Sequence, residues 1–539
     1  MADLVFRLTS IFFFSFLIFN AFSWVKLWED KEYRAKRILI YIRETKRGRS
    51  LILGWENLVK ILVIFLYGST IYVSGLDFYY HLLIFFLYFY FFLKILYKIY
   101  NREFLLPRIS FNVILIILLT LAVSIVLYLL PPLDQFLWMV IIDKLLPFIT
   151  AFFISIFLVF FDFKQDTIIN RAIDKFNKHK HLLTVAIVGS YAKGSTKEFI
   201  TRILSIKFNV LENDTPFNSA LGIAKTILSK LDTRKQVFIV EMEDYKKGDV
   251  SEMCNIASPK IAVITGINDE KTSVFGNLDN VIESKYEVVG SLPRDGIVIL
   301  CGNNPNTMSL YSRIKNKKFI YSFEEAGLAS DIYASNIRIS RFSVSFDVRV
   351  FGKKHKVSDI KLVGLQNVEN LLPGFFLGLY LGIDFSLIRK ELLRLRPLPR
   401  TMDPAKNSKG SILINDTYNT HINSIRGAIE YMKLYKGKKI LILQPLTELG
   451  KNAYQDHLEL GKEIGKVCDY LFLTNDNHYK PLVIGIQEEK SLCLVQVLPP
   501  AKIAKFVDKN TKAPDIVVFE GREAYNSFSL IASRSILRL

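Results

Sequence analysis

The strongest constraint on this chain lies in its first third, which holds five long apolar runs: Leu4–Trp24, Leu58–Leu76, Phe78–Tyr97, Ile109–Leu130 and Phe136–Phe161. A helix needs about 20 apolar residues to cross the hydrocarbon of a bilayer, and each run approaches or exceeds that length. The connections alternate in charge. Residues 25–50 carry nine Lys or Arg against four Asp or Glu, and 98–108 and 162–181 are again basic, whereas 75–77 and 131–135 hold no Lys or Arg. Basic loops stay on the cytoplasmic side, so the pattern predicts an outside N-terminus, five crossings and an inside C-terminus. The main basic block follows the first run instead of preceding it, which argues against a cleaved leader. Asp143-Lys144 interrupts the fifth run. Because the 17 residues Leu145–Phe161 nearly span by themselves, the pair reads as interfacial rather than as part of a transport path. Residues 1–163 are therefore expected to be a transmembrane anchor domain, with a basic linker helix over 164–182.

From His181 onward, short apolar runs alternate with amphipathic stretches. Strands are expected at Leu183–Val188, Val237–Met242, Ile261–Thr265, Ile297–Cys301, Ser411–Asp416, Lys439–Gln444 and Ile516–Glu520. This is the pattern of α/β sheets with crossover helices. Residues 332–362 alternate with period two instead and predict an antiparallel hairpin patch. The prolines at 397 and 399 mark a boundary between two α/β units, 183–396 and 397–539. The four cysteines form no CxxC pair, which excludes a zinc ribbon and fits a reducing compartment. A net charge of +19 points to an anionic partner. The basic residues are scattered and no recognition module is present, so nucleic acid is not the expected one.

The first chemical signal is TVAIVGSYAKGSTKEF, residues 184–199. A strand ends at Gly189, a tight loop follows, and a helix opens near Gly194. Such a turn aims backbone N–H groups and a helix N-terminus at a phosphate, with Lys193 as a point charge and Ser195 as a magnesium hydroxyl. The strict Walker spacing is not met, and a glycine-serine turn with a solvated lysine reads the segment equally well by itself.

Six later segments accompany it in order: TPFNSALGIA (215–224), VEMEDYKKGDV (240–250), VIESKYEVV (281–289), GLQNVENLLPGFFLGLYLGI (364–383), ILINDTYNTHINS (412–424) and LTELGKNAYQDHLELG (446–461). Together these resemble the Mur ligases, the ATP-dependent amide ligases of peptidoglycan assembly, and among them the MurF type that adds D-alanyl-D-alanine. The resemblance implies a P-loop central ATP-binding domain and a Rossmann-like C-terminal domain, with ATP and Mg2+ as cofactors. By the same resemblance the nucleotide is held by Gly189, Ser190, Ala192 (in place of a glycine), Lys193, Gly194, Ser195, Thr196, Asn367, Asn370, Asp416 and Tyr418. Glu241 and Ser195 are the implied magnesium ligands. Lys285 corresponds to a lysine carbamylated in many members, and as a carbamate it would help to hold a second ion. Asn367 and Asn370 also read as helix-capping residues, and Asp416 with Tyr418 as turn residues.

The implied reaction transfers the γ-phosphate of ATP to a carboxylate, and an amine then attacks the acyl phosphate. Its implied partners are a UDP-linked or lipid-linked muramoyl peptide and an amino acid or dipeptide amine. The first third departs from the family, where a soluble domain usually holds the uridine nucleotide end; here the membrane runs stand in its place. That would put the enzyme in the inner membrane of a bacterium, with its catalytic domains cytoplasmic. Other departures fall in the site. Gly266 and Lys271 stand where the family has an asparagine and a metal-binding histidine. Cys301, Asn303 and Asn304 alter a further segment, Gln366 replaces a histidine, the expected arginine is Arg400 one place off, and FEGREAY replaces a KGS-like stretch. Lys271 admits two readings: its ammonium replaces the charge of a second metal, or the site has decayed and the protein is a membrane scaffold. A poly-amino-acid synthetase of the capsule type would share the loop and the anchoring.

Overall fold

The computed structural model describes residues 2–70, 76–100, 106–131, 133–214, 217–323, 330–533 and 536–538. Three stretches of the sequence reading fall partly outside these residues: the end of the second apolar run, the three loops that contain 75, 101–105 and 132, and the Thr215-Pro216 start of one motif. The chain divides into two compact units, 1–166 and 167–539.

In the first unit the apolar runs are helices: α1 (Ala2–Asp30), α2 (Ala35–Glu44), α3 (Lys46–Leu53), α4 (Trp55–Thr70), α5 (Leu76–Tyr100), α6 (Phe111–Leu129) and the part before residue 167 of α7 (Gln135–Asn177). Among the described residues, five helical stretches are long and apolar enough to cross a membrane. Phe13, Leu17, Tyr88, Phe91, Met139 and Val140 are buried where α1, α5 and α7 pack, while Phe65, Phe111, Phe148 and Val159 remain exposed. The basic 31–49 stretch forms two short helices, and the Thr45 hydroxyl caps the second by accepting from Gly48 N at 2.9 Å.

The Asp143 reading needs correction. Asp143 lies inside the bundle, 3% exposed, pairs with Lys60 of α4 and accepts from Asn20 Nδ2 at 3.3 Å; Lys144 donates to Asn57 Oδ1. A carboxylate this far from water needs a countercharge. The apolar-run count hid Lys60 because one lysine does not interrupt a run.

The second unit holds two sheets. The first comprises β1 (Leu183–Val188), β2 (Val210–Glu212), β3 (Val237–Glu241), β4 (Ile261–Ile264), β5 (Ile297–Cys301), β6 (Lys317–Phe323), β7 (Ile332–Ile339), β8 (Val344–Val350) and β9 (Lys353–Ile360), in the order β2-β3-β1-β4-β5-β6-β7-β8-β9. Strands β2 to β7 pair in parallel, and β7-β8-β9 are antiparallel. The central strands are buried along both faces because helices cover both, which is why they read as continuous aliphatic runs. The expected hairpin is thus a three-stranded meander joined to the sheet edge. In β8 it buries Val344, Phe346, Val348 and Val350 and leaves the residues between them more exposed.

The second sheet comprises β10 (Asp403–Asn407), β11 (Ile412–Asp416), β12 (Lys439–Leu443), β13 (Tyr470–Leu473), β14 (Leu494–Val497), β15 (Ile516–Glu520) and β16 (Ile536–Arg538), in the order β14-β13-β12-β15-β11-β10-β16. In the first sheet β1 is flanked by β3 and β4, so chain order reverses there. The crevice beyond the carboxyl ends of such strands is where open α/β sheets take their ligands.

Candidate active site

Four segments converge beyond the carboxyl ends of β1, β3 and β4. The first is the loop after β1. Gly189 adopts φ +150°, and a methyl group there would lie 2.0 Å from Thr265 Oγ1, so no side chain fits. Ala192, where the resemblance expects glycine, turns the loop at φ +65°, a left-handed conformation that costs an L-residue about 1–2 kcal/mol. The loop is tied to the β4 side by Ser190 N donating to Gly266 O at 2.8 Å and Asn268 N donating to Ser190 Oγ at 3.2 Å. The helix Lys193–Leu204 begins immediately after it. Lys193 is buried and folded back on its own loop, donating to Gly189 O at 2.8 Å and Ser190 O at 3.3 Å and pairing with Glu243 at 3.1 Å. Burial works against its charge, but the carboxylates of Glu243, Glu241 and Glu270 together outweigh that and hold its pKa up.

The second segment is the end of β3. Glu241, 4% exposed, accepts from Asn218 Nδ2 at 3.0 Å through one oxygen. Its other oxygen, Oε2, lies 3.4 Å from Lys197 and makes no hydrogen bond. A methyl on Gly194 would stand 3.6 Å from this oxygen, so it faces the first turn of the loop helix. The Thr196 hydroxyl in that turn is buried without a partner, and Ser195 is half-buried beside it. A carboxylate oxygen and hydroxyls beside a phosphate loop suit Mg2+, which takes few protein oxygens and completes its shell with phosphates and water. The donor set fits one such ion, which Glu241 with the hydroxyls of Ser195 and Thr196 would hold.

The third and fourth segments are the loop after β4, with Lys271, and the helix Leu278–Gly290, with Lys285. They meet at Glu243 and Asp244, two and three residues after Glu241. Lys271 pairs with Glu243, donates to Asp244 O at 3.2 Å and lies 4.0 Å over the Tyr245 ring. Lys285 pairs with the fully buried Asp244, which also accepts from Ser284 Oγ at 2.6 Å. Burial alone would raise the Glu243 carboxyl, but Lys193, Lys271 and Lys285 overcome it and hold the group well below the carboxylate range. Asp244 is likewise depressed against the effect of its burial, chiefly by Lys285. A second metal ion does not fit between these groups, because ammonium groups already face the oxygens it would need.

Tyr191 accounts for the missing asparagine. A methyl on Gly266 would overlap the Tyr191 ring at 1.8 Å, so the ring fills the space that a side chain at 266 would take. The ring lies 5.1 Å from His421 and its hydroxyl accepts from Asn304 Nδ2 at 3.3 Å. The other altered segment faces Glu369, which accepts from Asn303 Nδ2 at 2.7 Å and Cys301 Sγ at 3.4 Å. Asn367 donates to Val363 O at 2.8 Å, a local bond at its own helix start; Asn370 is buried on the same helix.

From the C-terminal sheet, Asp416 ends β11 and accepts from Met402 N at 3.2 Å. Burial pushes its carboxyl up to about 7. Arg400 donates to Thr417 Oγ1 at 3.0 Å and Thr417 O at 2.6 Å, and so fixes the turn that presents Tyr418. Tyr418 is 44% exposed, and its hydroxyl is held up by burial and then by the field of Glu241. Ser273 N to Glu448 O at 3.2 Å and Asn452 Nδ2 to Asp269 Oδ2 at 2.8 Å tie the β4 loop to this half. His457 takes no part in the site: fully buried and stacked 4.1 Å from His478, it accepts from Leu446 N at 3.1 Å. Burial lowers its pKa to about 3, so it is a neutral structural group.

The Mur ligase middle-domain model matches residues 187–377, and the model of the Mur ligase glutamate ligase domain matches 402–522, together more than half of the chain. The chain belongs to the Mur ligase family. It is 25% identical over 278 residues to the UDP-N-acetylmuramoyl-tripeptide–D-alanyl-D-alanine ligase of Escherichia coli (52% of this chain, 61% of that one). It is 27% identical over 282 residues to the Bacillus subtilis ligase of the same name (52% and 60%). The matches thus span about three fifths of the length of these curated relatives. Among solved structures it shares the fold of MurF from Acinetobacter baumannii, with a TM-score of 0.61 at 19% identity over 68% of this chain and 80% of that one. The ADP complex of the Thermotoga maritima MurF ligase gives 0.59 at 20% identity over 69% and 85%.

The structure brings Gly189, Ser190, Ala192, Lys193, Gly194, Ser195, Thr196, Glu241, Lys271 and Lys285 together beyond β1 and β3. Sequence reasoning missed Tyr191, Lys197, Glu243 and Asp244. For the last two a signal was present: two more carboxylates stand two and three residues after the strand-ending glutamate.

Proposed function

We propose that this protein is a membrane-anchored, ATP-dependent amide ligase of the MurF type, joining D-alanyl-D-alanine or a related amine to a muramoyl peptide carboxylate. The observation that carries the reading is the pairing of a lysine-bearing phosphate loop with Glu241 Oε2 and the Thr196 hydroxyl, both lacking hydrogen-bond partners, beside the Tyr418 turn of the C-terminal domain. Lys193 exchanges its loop carbonyls for the β- and γ-phosphates of ATP. The acceptor carboxylate attacks the γ-phosphorus and releases ADP. The amine then attacks the acyl carbon, and phosphate leaves with one oxygen of the former carboxylate. Bound magnesium supplies charge for the phosphates at Glu241, Ser195 and Thr196. Gly189, Ser190, Ala192 and Gly194 present main-chain N–H groups, while Asn367, Asn370, Asp416 and Tyr418 bound the nucleotide.

Residues 1–163 form the anchor, 164–182 the basic linker, 183–396 the ATP-binding domain and 397–539 the C-terminal domain. The N-terminus lies outside and the ligase at the cytoplasmic face of a bacterial inner membrane, where a lipid-linked acceptor is as accessible as a soluble UDP-linked one. The test is ATP turnover by full-length protein in detergent, with soluble or lipid-linked muramoyl tripeptide and D-alanyl-D-alanine. Stimulation that needs both substrates and disappears in Lys193→Ala is expected. Absence of turnover and of ATP binding would leave a membrane scaffold with a ligase fold.

A further inference from the structure

We infer that Lys271 and Lys285, ion-paired with Glu243 and Asp244, take the place of a second divalent cation. The site then binds a single cation with its nucleotide, and Lys285 stays an unmodified amine. This rests on the ligase reading above and adds Glu243 and Asp244 to its site as positioning residues.

The argument begins with the oxygens. Glu243 gives one to Lys271 and the other to Lys193, and Asp244 gives one to Lys285 and the other to Ser284. All four are committed, and three ammonium groups face two carboxylates. Glu270 has one buried oxygen without a hydrogen bond, but it is a single carboxyl among those lysines. Among the described residues, no three His, Cys, Asp or Glu side chains are grouped to hold a metal ion. Magnesium needs oxygen ligands and is repelled by fixed ammonium groups, so nothing here can receive one.

The lysines are also placed, not merely near. Lys271 has three contacts, to Glu243, the Asp244 carbonyl and the Tyr245 face, and its backbone sits at φ +65°, a strained conformation that persists only where the surroundings hold it. Lys285 is 2% exposed against an Asp244 that is fully buried. A carbamate on Lys285 would set a second anion against Asp244 with neither solvated, whereas the ammonium neutralises it. Glu241 differs in degree: its Oε2 makes no hydrogen bond, has the single ammonium of Lys197 at 3.4 Å and faces the first turn of the loop helix.

The test counts ions. Full-length protein in detergent is titrated with Mn2+ at saturating non-hydrolysable ATP analogue, and free Mn2+ is read by electron paramagnetic resonance. One nucleotide-dependent Mn2+ per chain is expected, and Lys271→Asp is expected to raise the count to two. Two in the unsubstituted protein, or a Lys271→Asp count that stays at one, overturns the inference and leaves the ligase reading intact. Analogue binding with no Mn2+ overturns the inference alone, and no analogue binding overturns both. In parallel, 13C-bicarbonate is added and the carbamate carbon is sought by NMR. No signal is expected, and a signal that vanishes in Lys285→Arg overturns the inference.

Discussion

Two pairs of carboxyl groups stand at or just beyond the carboxyl ends of parallel strands, and their acidities are shifted in opposite directions. Glu243 and Asp244 follow β3, are enclosed by Lys193, Lys271 and Lys285, and are held ionised against their burial. Asp416 and Glu520 end β11 and β15 in register, so their side chains leave neighbouring strands on one face. Among the described residues, no lysine or arginine balances them. Burial pushes Asp416 up to about 7, and burial followed by Asp416 itself pushes Glu520 well above the carboxylate range. Glu520 is fully buried, and a side-chain hydrogen bond from Ser424 opposes its rise without cancelling it. Burial therefore accompanies an ion-paired cluster in one place and a raised acid pair in the other, and the partner decides which.

Lys285→Met is expected to have the largest effect on this contrast, because it leaves Asp244 charged and unpaired in the interior. Losing one partner of a buried ion pair costs about 3–5 kcal/mol, which lowers the melting temperature by on the order of 10 °C. The double variant Lys285→Met/Asp244→Asn should recover most of that in a thermal melt. A full loss in the double variant would mean that packing, not charge, is what Lys285 supplies.

The pH dependence sharpens the contrast, since the two pairs have opposite signs. Glu243 titrates below its ordinary value of 4.5 when folded, so its contribution is present above that value and is lost as pH falls below it. Asp416 titrates at about 7 against an ordinary 3.8, so its contribution is present below 3.8 and is lost as pH rises through about 7. Melting curves of Glu243→Gln should accordingly lose part of the acid-side fall. Those of Asp416→Asn should lose part of the fall between about pH 4 and 7, each by roughly 1–3 kcal/mol. Identical profiles for both variants would erase the distinction.

The smallest expected effect is Ala192→Gly, which relieves the left-handed strain at the loop turn. Chain entropy lost with the methyl group opposes it, so a gain of at most about 1 kcal/mol is expected in the same melts.

Much of this was legible in the sequence, for identifiable reasons. Strands buried on both faces leave uninterrupted runs, so β1, β3, β4, β5, β11, β12 and β15 could be placed to within a residue or two at their ends. Strands at or toward a sheet edge, such as β2, β10 and β14, and the interior but polar-ended β6, are short or mixed in polarity and left no such run. The loop residues 189–196 and Glu241 were singled out through the resemblance of several ordered segments to the Mur ligases, because the loop's own spacing departs from the strict phosphate-loop pattern. Glu243 and Asp244 were not, because a charge in sequence does not reveal what it faces. Lys60 escaped notice in the same way inside an apolar run, and Gly266 read as a lost asparagine until Tyr191 was seen to fill its space. Pairwise compensation is a property of the fold, and a residue-by-residue comparison registers only its two separate departures.

The measurement that tests the ligase reading most directly follows an oxygen atom. The muramoyl tripeptide is labelled with 18O at its reacting carboxylate and turned over with ATP, Mg2+ and D-alanyl-D-alanine, and the released phosphate is analysed by mass spectrometry. An acyl phosphate intermediate predicts one 18O in each phosphate formed with the amide product. Unlabelled phosphate would mean that water, not the carboxylate, attacks the γ-phosphorus, and would contradict the account.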